Sequence, residues 1–233
     1  LFEVGPTFFG KNPEEQQIII GALKSGKINR KSWIEKERKV DVFDIKADVI
    51  KTLIELGISE KNIFVNDNTK QCYHPGRSGS VTLKTEKGPH LAYFGEIHPA
   101  IIKKMDFKEP NIYGFEIFLK NIPEPNKKIR FTKKSFQASD FQKSERDFAF
   151  IIDKFFKIGL LEKIIREIDD TLIQEVTTFD VYEGENIPKD KKSVAINITL
   201  QANDKTLSEI DLDRISKKII DVVKEKTGAI IRS

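Results

Sequence analysis

Two periodicities divide this chain. Phe2 to Phe8 and Gln16 to Leu23 are short apolar-rich runs, the second ending at the Gly26 turn, and both read as strands. Between Asp41 and Leu56 the spacing changes. Val42, Ile45, Val49, Leu53 and Leu56 recur every three or four residues, which predicts an amphipathic helix stopped by Gly57. Beyond it, Asn62 to Val65, Val81 to Thr85, His90 to Gly95 and Ile112 to Leu119 are short runs bounded by Gly, Pro, Asn or Asp. That is the pattern of an antiparallel meander, so this part of the chain is expected to be α+β.

From about Ser139 the alternation is cleaner. Arg146 to Ile152 predicts a strand, Leu160, Leu161, Ile164, Ile165 and Ile168 form a helical stripe, and Ile173 to Tyr182 predicts a second strand. Ser193 to Gln201 alternates apolar Val194, Ile196, Ile198 and Leu200 with small or polar residues, so one face is buried and one open. Ser208 caps a second helix, with Glu209 and Asp211 suited to its positive N-terminus and Ile210, Ile215, Ile219, Val222 and Val223 on its expected buried side. Ala229 to Arg232 closes the series as a short strand. The order β-α-β-β-α-β is ferredoxin-like: both helices cover one sheet face and leave the other free.

Strand alternation assigns Phe148, Phe150, Ile152, Phe179 and Val181 to the helix-covered side. The phenylalanines are therefore expected in the core, not as an exposed stacking platform. The free face is left with Asp147, Ala149, Asp180, Tyr182, Ser193, Asn197 and Arg232. A carboxylate there accepts from the N1–H and N2–H edge of guanine, and a hydroxyl completes the pattern, so this face suits base reading. An ordinary solvated face has the same composition, and the fold alone decides nothing.

Composition narrows the classes. With 233 residues, 39% of them hydrophobic and 17 Phe, the chain can fill two cores and needs no disulfide scaffold. A single cysteine, Cys72, makes neither an internal disulfide nor a multi-cysteine metal site, which fits a reducing, cytoplasmic setting. No apolar run approaches the ~20 residues that span a membrane, and Leu1-Phe2-Glu3-Val4 reads as a strand, not a basic leader. A chain opening on Leu is expected to be a piece of something longer.

The 40 basic and 36 acidic residues leave only +4, but the sign splits along the chain. Residues 1–138 hold 24 basic against 17 acidic residues, a net of +7, whereas residues 139–233 hold 16 against 19, a net of −3. The excess gathers in Lys120 to Lys134, after Pro123 and Pro125, where two prolines disfavour helix. That stretch reads as a linker over 123–138, either simply solubilising or contacting phosphates.

Candidate chemistry is sparse. His74-Pro75-Gly76-Arg77-Ser78 and Gly95-Glu96-Ile97-His98-Pro99 offer His74, His98 and Glu96 as a minimal ligand set for a metal-dependent hydrolase. Turn geometry is the plainer explanation of both His-Pro pairs. Cys72 stands two residues from His74 in no nucleophile context, and no glycine-rich phosphate loop is present. A pure protein-interaction module is the third reading.

The order of strings carries more than any one of them. Leu1-Phe2-Glu3-Val4-Gly5, Val42-Phe43-Asp44-Ile45-Lys46, His74 to Ser78, Gly95 to Pro99, Phe115-Glu116-Ile117, Arg146-Asp147-Phe148-Ala149, Phe179-Asp180-Val181-Tyr182 and Thr206-Leu207-Ser208 resemble, in that order, the C-terminal part of bacterial phenylalanyl-tRNA synthetase beta subunits. Ala47 and Gly79 are small-for-small exchanges against the family's usual Gly and Ala, and Ser139-Asp140-Phe141-Gln142 replaces a Pro-containing segment.

The resemblance implies a catalytically silent, class II synthetase-like core over 1–122 and a ferredoxin-fold anticodon-binding domain over 139–233. It implies an alpha-subunit partner in an alpha2beta2 tetramer and tRNA(Phe) as ligand, with no membrane. ATP, Mg2+ and phenylalanine are implied for the whole enzyme, with no catalytic residue, cofactor or metal in this segment. The first anticodon base of tRNA(Phe) is guanine. Asp180 with Ser193 is the expected reader of that base, with Tyr182, Arg146 and Arg232 as stacking or phosphate support.

Overall fold

The computed structural model describes residues 1–29, 31–124 and 139–232. The chain divides into compact units of residues 1–133 and 134–233, so the division point and nearly all of the expected 123–138 linker lie outside the described residues. Among the described residues no helix is long and apolar enough to cross a membrane.

The first unit is a six-stranded antiparallel sheet. Its strands are β1 (Phe2–Phe8), β2 (Gln16–Ser25), β3 (Ile63–Asn66), β4 (Tyr73–Leu83), β5 (His90–Ile97) and β6 (Ile112–Phe118), in the order β1-β2-β6-β5-β4-β3. Helix α1 (Val42–Glu55) lays Ile45, Val49 and Leu53 on Val81, Phe94, Phe115 and Ile117 of one sheet face. A reciprocal cap starts the helix: the Asp41 carboxylate accepts from the N–H groups of Phe43 and Asp44, and the Asp44 carboxylate accepts from that of Asp41.

Arg38 clamps the same carboxylate through two bonds of 2.7 and 2.6 Å, and the guanidinium holds Asp44 well below the usual carboxylate range, at about 2. A depressed folded-state value means that stability from this group is present above the ordinary carboxylate pKa and is lost as pH falls toward the folded one. Thermal melts should therefore show a loss between roughly pH 4 and pH 2 that Asp44→Asn diminishes. An identical acid transition in the variant would refute it.

Two features of this unit differ from the pattern. Strand β4 starts at Tyr73 rather than Val81, because a register shift between Tyr73 and Ser78 lets Pro75, which has no N–H, sit inside a strand. A short helix, α2 (Pro99–Lys104), follows β5 and buries only Ile102, too brief a segment to show a helical period.

The second unit has strands β7 (Ser144–Asp153), β8 (Ile173–Tyr182), β9 (Lys191–Leu200) and β10 (Ile230–Ile231), with helices α3 (Ile158–Arg166) and α4 (Glu209–Thr227). The order β10-β7-β9-β8, all antiparallel, is the expected ferredoxin-like sheet. Phe148, Phe150, Ile152, Val194, Ile196 and Ile198 meet Leu161 and Ile165 of α3 and Ile215, Ile219 and Val223 of α4 in one core.

Ser208 caps α4 by accepting from the Asp211 N–H, while Gly228 ends it at φ 68°, in the left-handed region. Ser208→Ala should cost this unit about 1 kcal/mol in denaturant titration, and no change in midpoint would contradict the cap.

Three residues expected in the core are not there. Ile210, in the first turn of α4, is 81% exposed. Phe179 and Val181 are 58% and 44% exposed: β8 is an edge strand, and its register shifts between Thr178 and Asp180, leaving Phe179 without a partner on β9. Beyond the shift Val181 pairs with buried Val194 while Asp180 and Tyr182 pair with Ala195 and Ser193, the faces that alternation assigned, so it is Phe179 alone that drops out of the ladder.

Candidate nucleic-acid interface

The sheet face away from α3 and α4 is set by register. Ser193 stands between Ile151 of β7 and Tyr182 of β8, Ala195 between Ala149 and Asp180, and Asn197 between Asp147 and Thr177. Ala149 and Ala195 keep the middle low, so polar side chains surround a shallow floor. Asn197 is tied up at one end, donating to the Asp147 carboxylate at 2.7 Å.

Arg232 reaches this face from the end of β10. Its backbone N–H donates to the Ala149 carbonyl at 2.7 Å, which docks the chain end beside β7. The side chain then crosses toward β9 and β8. Its Nη1 lies 3.5 Å from Ser193 Oγ, and its guanidinium carbon lies 5.8 Å from the Tyr182 ring centre. The Tyr182 hydroxyl contacts the Glu185 carbonyl at 3.5 Å, so the ring has neighbours at both ends. Residues 182, 193 and 232 thus converge although the sequence scatters them.

Asp180 is the uncommitted member. It is exposed, lies next to Ala195 in register, and its carboxylate makes no hydrogen bond or ion pair among the described residues. The resulting set is a carboxylate with free acceptors, a mostly buried hydroxyl, a half-exposed ring and a cation. That set can accept from a base edge, stack a base and balance a phosphate.

Arg146 does not join them. It pairs in register with Ile198, on the helix side of β7, and its guanidinium donates to Glu209 at the start of α4 at 2.9 Å. The signal was present in the sequence: the alternation that buries Phe148 and Phe150 puts residue 146 on their side.

The hydrolase candidates are occupied by backbone geometry. His74 Nδ1 accepts from the Gly76 N–H at 3.1 Å, and His98 Nδ1 accepts from Ala100 at the start of α2 at 3.2 Å. Glu96 is buried and gripped by Arg77 through two bonds, one of them 2.9 Å. Among the described residues no three His, Cys, Asp or Glu side chains are grouped to hold a metal.

A family model described as the ferredoxin-fold anticodon binding domain matches residues 139–232, the unit that carries this face. The phenylalanyl tRNA synthetase beta chain CLM domain matches residues 1–119, just over half of the chain. The chain belongs to the phenylalanyl tRNA synthetase beta chain family.

Family membership agrees with the similar proteins. The chain is 38% identical over 232 residues to the phenylalanine–tRNA ligase beta subunit of Paramagnetospirillum magneticum, covering 100% of this chain and 29% of that protein. The beta subunit from Rhodospirillum rubrum is 37% identical over 233 residues, again covering 100% and 29%. That from Rickettsia prowazekii is 37% identical over 235 residues, covering 100% and 28%. The chain therefore spans less than a third of the length of the curated relatives it matches.

Proposed function

We propose that this chain serves a phenylalanine–tRNA ligase by recognising the anticodon of tRNA(Phe), with the free sheet face of its second unit as the reading surface. The observation that carries this is the convergence of Tyr182, Ser193 and Arg232 beside the uncommitted carboxylate of Asp180, on a unit that matches an anticodon-binding family. In this reading Asp180 and Ser193 bind the N1–H and N2–H edge of the guanine at the first anticodon position. Tyr182 stacks a base, and Arg232 holds the ring and a phosphate. Arg146, paired with Glu209, anchors α4 on β7 and supports the face from behind.

Residues 139–233 carry a net −3, so phosphate attraction beyond the Arg232 contact is not this unit's main contribution. It supplies discrimination, and affinity is drawn largely from elsewhere in the assembly. We assign residues 1–122 to a silent class II synthetase-like core that packs on a catalytic alpha subunit in an alpha2beta2 tetramer, with 123–138 as linker. ATP, Mg2+ and phenylalanine belong to that partner's active site, in the cytoplasm.

The test is tRNA(Phe) binding by the assembled ligase, followed by fluorescence anisotropy across salt concentrations. Tyr182→Ala should weaken binding by ~5- to 100-fold, the worth of one stacked base, while Tyr182→Phe keeps most of it. Arg232→Ala should lower the salt slope by about one phosphate contact. Unchanged affinity in Tyr182→Ala and Arg232→Ala together would refute the assignment of this face.

A further inference from the structure

Between β2 and α1 the chain forms a loop with a narrow neck. Backbone bonds pin that neck: the Ile28 N–H donates to the Arg38 carbonyl at 3.1 Å, and the Val40 N–H to the Gly26 carbonyl at 3.0 Å. Two side-chain rungs follow it, Lys27 to Glu37 at 2.5 Å and Asn29 to Glu35 at 2.6 Å. Toward the tip the Ile34 N–H donates to Ser32 Oγ at 3.2 Å. Trp33 and Ile34 are left to solvent, 94% and 71% exposed.

The same stretch is strongly cationic. Residues 27–39 hold six basic against two acidic residues, a net of +4, and the excess is still +2 when Asp41 and Asp44 of the α1 cap are counted with them. All four carboxylates already face a partner. Glu37 meets Lys27, Glu35 meets Asn29, and Asp41 and Asp44 meet Arg38 at 3.5 and 2.6 Å. Lys31, Lys36 and Lys39 are exposed, and their ammonium groups make no hydrogen bond or ion pair among the described residues. One loop thus joins a bare indole to three uncommitted cations.

We propose that this loop is a second RNA contact: a base from an unpaired stretch of tRNA stacks on Trp33, while Lys31, Lys36 and Lys39 take the neighbouring phosphates. This role rests on the reading that the chain serves a tRNA ligase, and not on which residues read the anticodon. Phosphates complement the free ammonium groups and a base face complements the indole, so a nucleic acid uses both halves of the loop at once. The loop also supplies what the second unit lacks, since a unit of net −3 draws phosphates poorly. Its two rungs hold the tip in place before RNA arrives, which leaves little ordering to be done on binding.

Trp33 is the chain's single tryptophan, so its fluorescence reports this loop alone. Titrating the 233-residue chain with an oligouridylate of about ten nucleotides should quench that emission, with a log–log salt slope of about −2 for three phosphate contacts on a single strand. Inorganic polyphosphate, a polyanion without bases, should bind with little quenching. Lys31→Gln together with Lys36→Gln should flatten the slope to about −0.7. Trp33→Ala, followed by anisotropy of labelled RNA, should weaken binding ~5- to 100-fold, and Trp33→Phe should keep most of it.

In the assembled ligase Trp33→Ala should weaken tRNA(Phe) binding by about 5-fold or more. Asp180→Ala should leave the quenching of the 233-residue chain untouched, so this role and the anticodon face stand or fall separately. No quenching by RNA, equal quenching by polyphosphate, or an unaltered slope in the lysine variant would each overturn the proposal. So would a response confined to vesicles of anionic lipid, which gives the loop to a membrane, or a ligase indifferent to Trp33→Ala, which gives it to a protein neighbour.

Discussion

Replacing Asp180 by alanine in the assembled ligase is expected to raise the dissociation constant for tRNA(Phe) about 10-fold or more, the worth of one well-made contact to a base edge. Phenylalanine activation by ATP, measured as pyrophosphate exchange, should stay unchanged. The Asp180 carboxylate is uncommitted within the subunit. It has no partner among the described residues, so its removal strands nothing within the subunit and the fold should not respond. The loss should therefore appear only when RNA is present. Asp180→Asn should be nearly as damaging, since an amide puts a donor where guanine offers two. Normal charging by both variants would remove Asp180 from the site.

Gly95→Ala is expected to destabilise the first unit by about 3 kcal/mol or more. Gly95 has φ +154°, and a Cβ there would lie 2.2 Å from Ser78 Cβ and 2.8 Å from the Arg77 carbonyl oxygen. Those are atoms of the neighbouring strand, which cannot retreat without breaking its ladder to β5. The adjacent residue, Glu96, is the buried carboxylate that Arg77 grips, so the same displacement pulls on an ion pair. Gly21→Ala is the matched control, with open space above it, and should cost less than about 1 kcal/mol. Equal denaturation midpoints for the two variants would contradict this account of why a glycine stands at 95.

The second unit was legible because its strands have unlike faces. Val194, Ile196, Ile198 and Leu200 are all buried, and their alternation fixed the free face before any contact was known. The same rule placed Arg146, had it been carried two residues back from Phe148. Alternation failed at Phe179, because a bulge is a relation between two strands and leaves no mark on one of them.

The meeting of Arg232 with Ser193 and Tyr182 was likewise hidden. It depends on β10 lying beside β7, which no local pattern encodes. In the first unit, Pro75 concealed the start of β4, and the pairing of Gly21 with both Glu3 and Glu116 exists only through the order β1-β2-β6.

If Asp180 reads the guanine edge, inosine isolates that contact by deleting only the 2-amino group. Binding of tRNA(Phe) with guanine or inosine at the first anticodon position should be measured on the assembled ligase and on its Asp180→Ala variant. Inosine should weaken the parent by about 5-fold or more and leave the variant nearly indifferent to the exchange. An equal loss in both enzymes, or none in the parent, would contradict it.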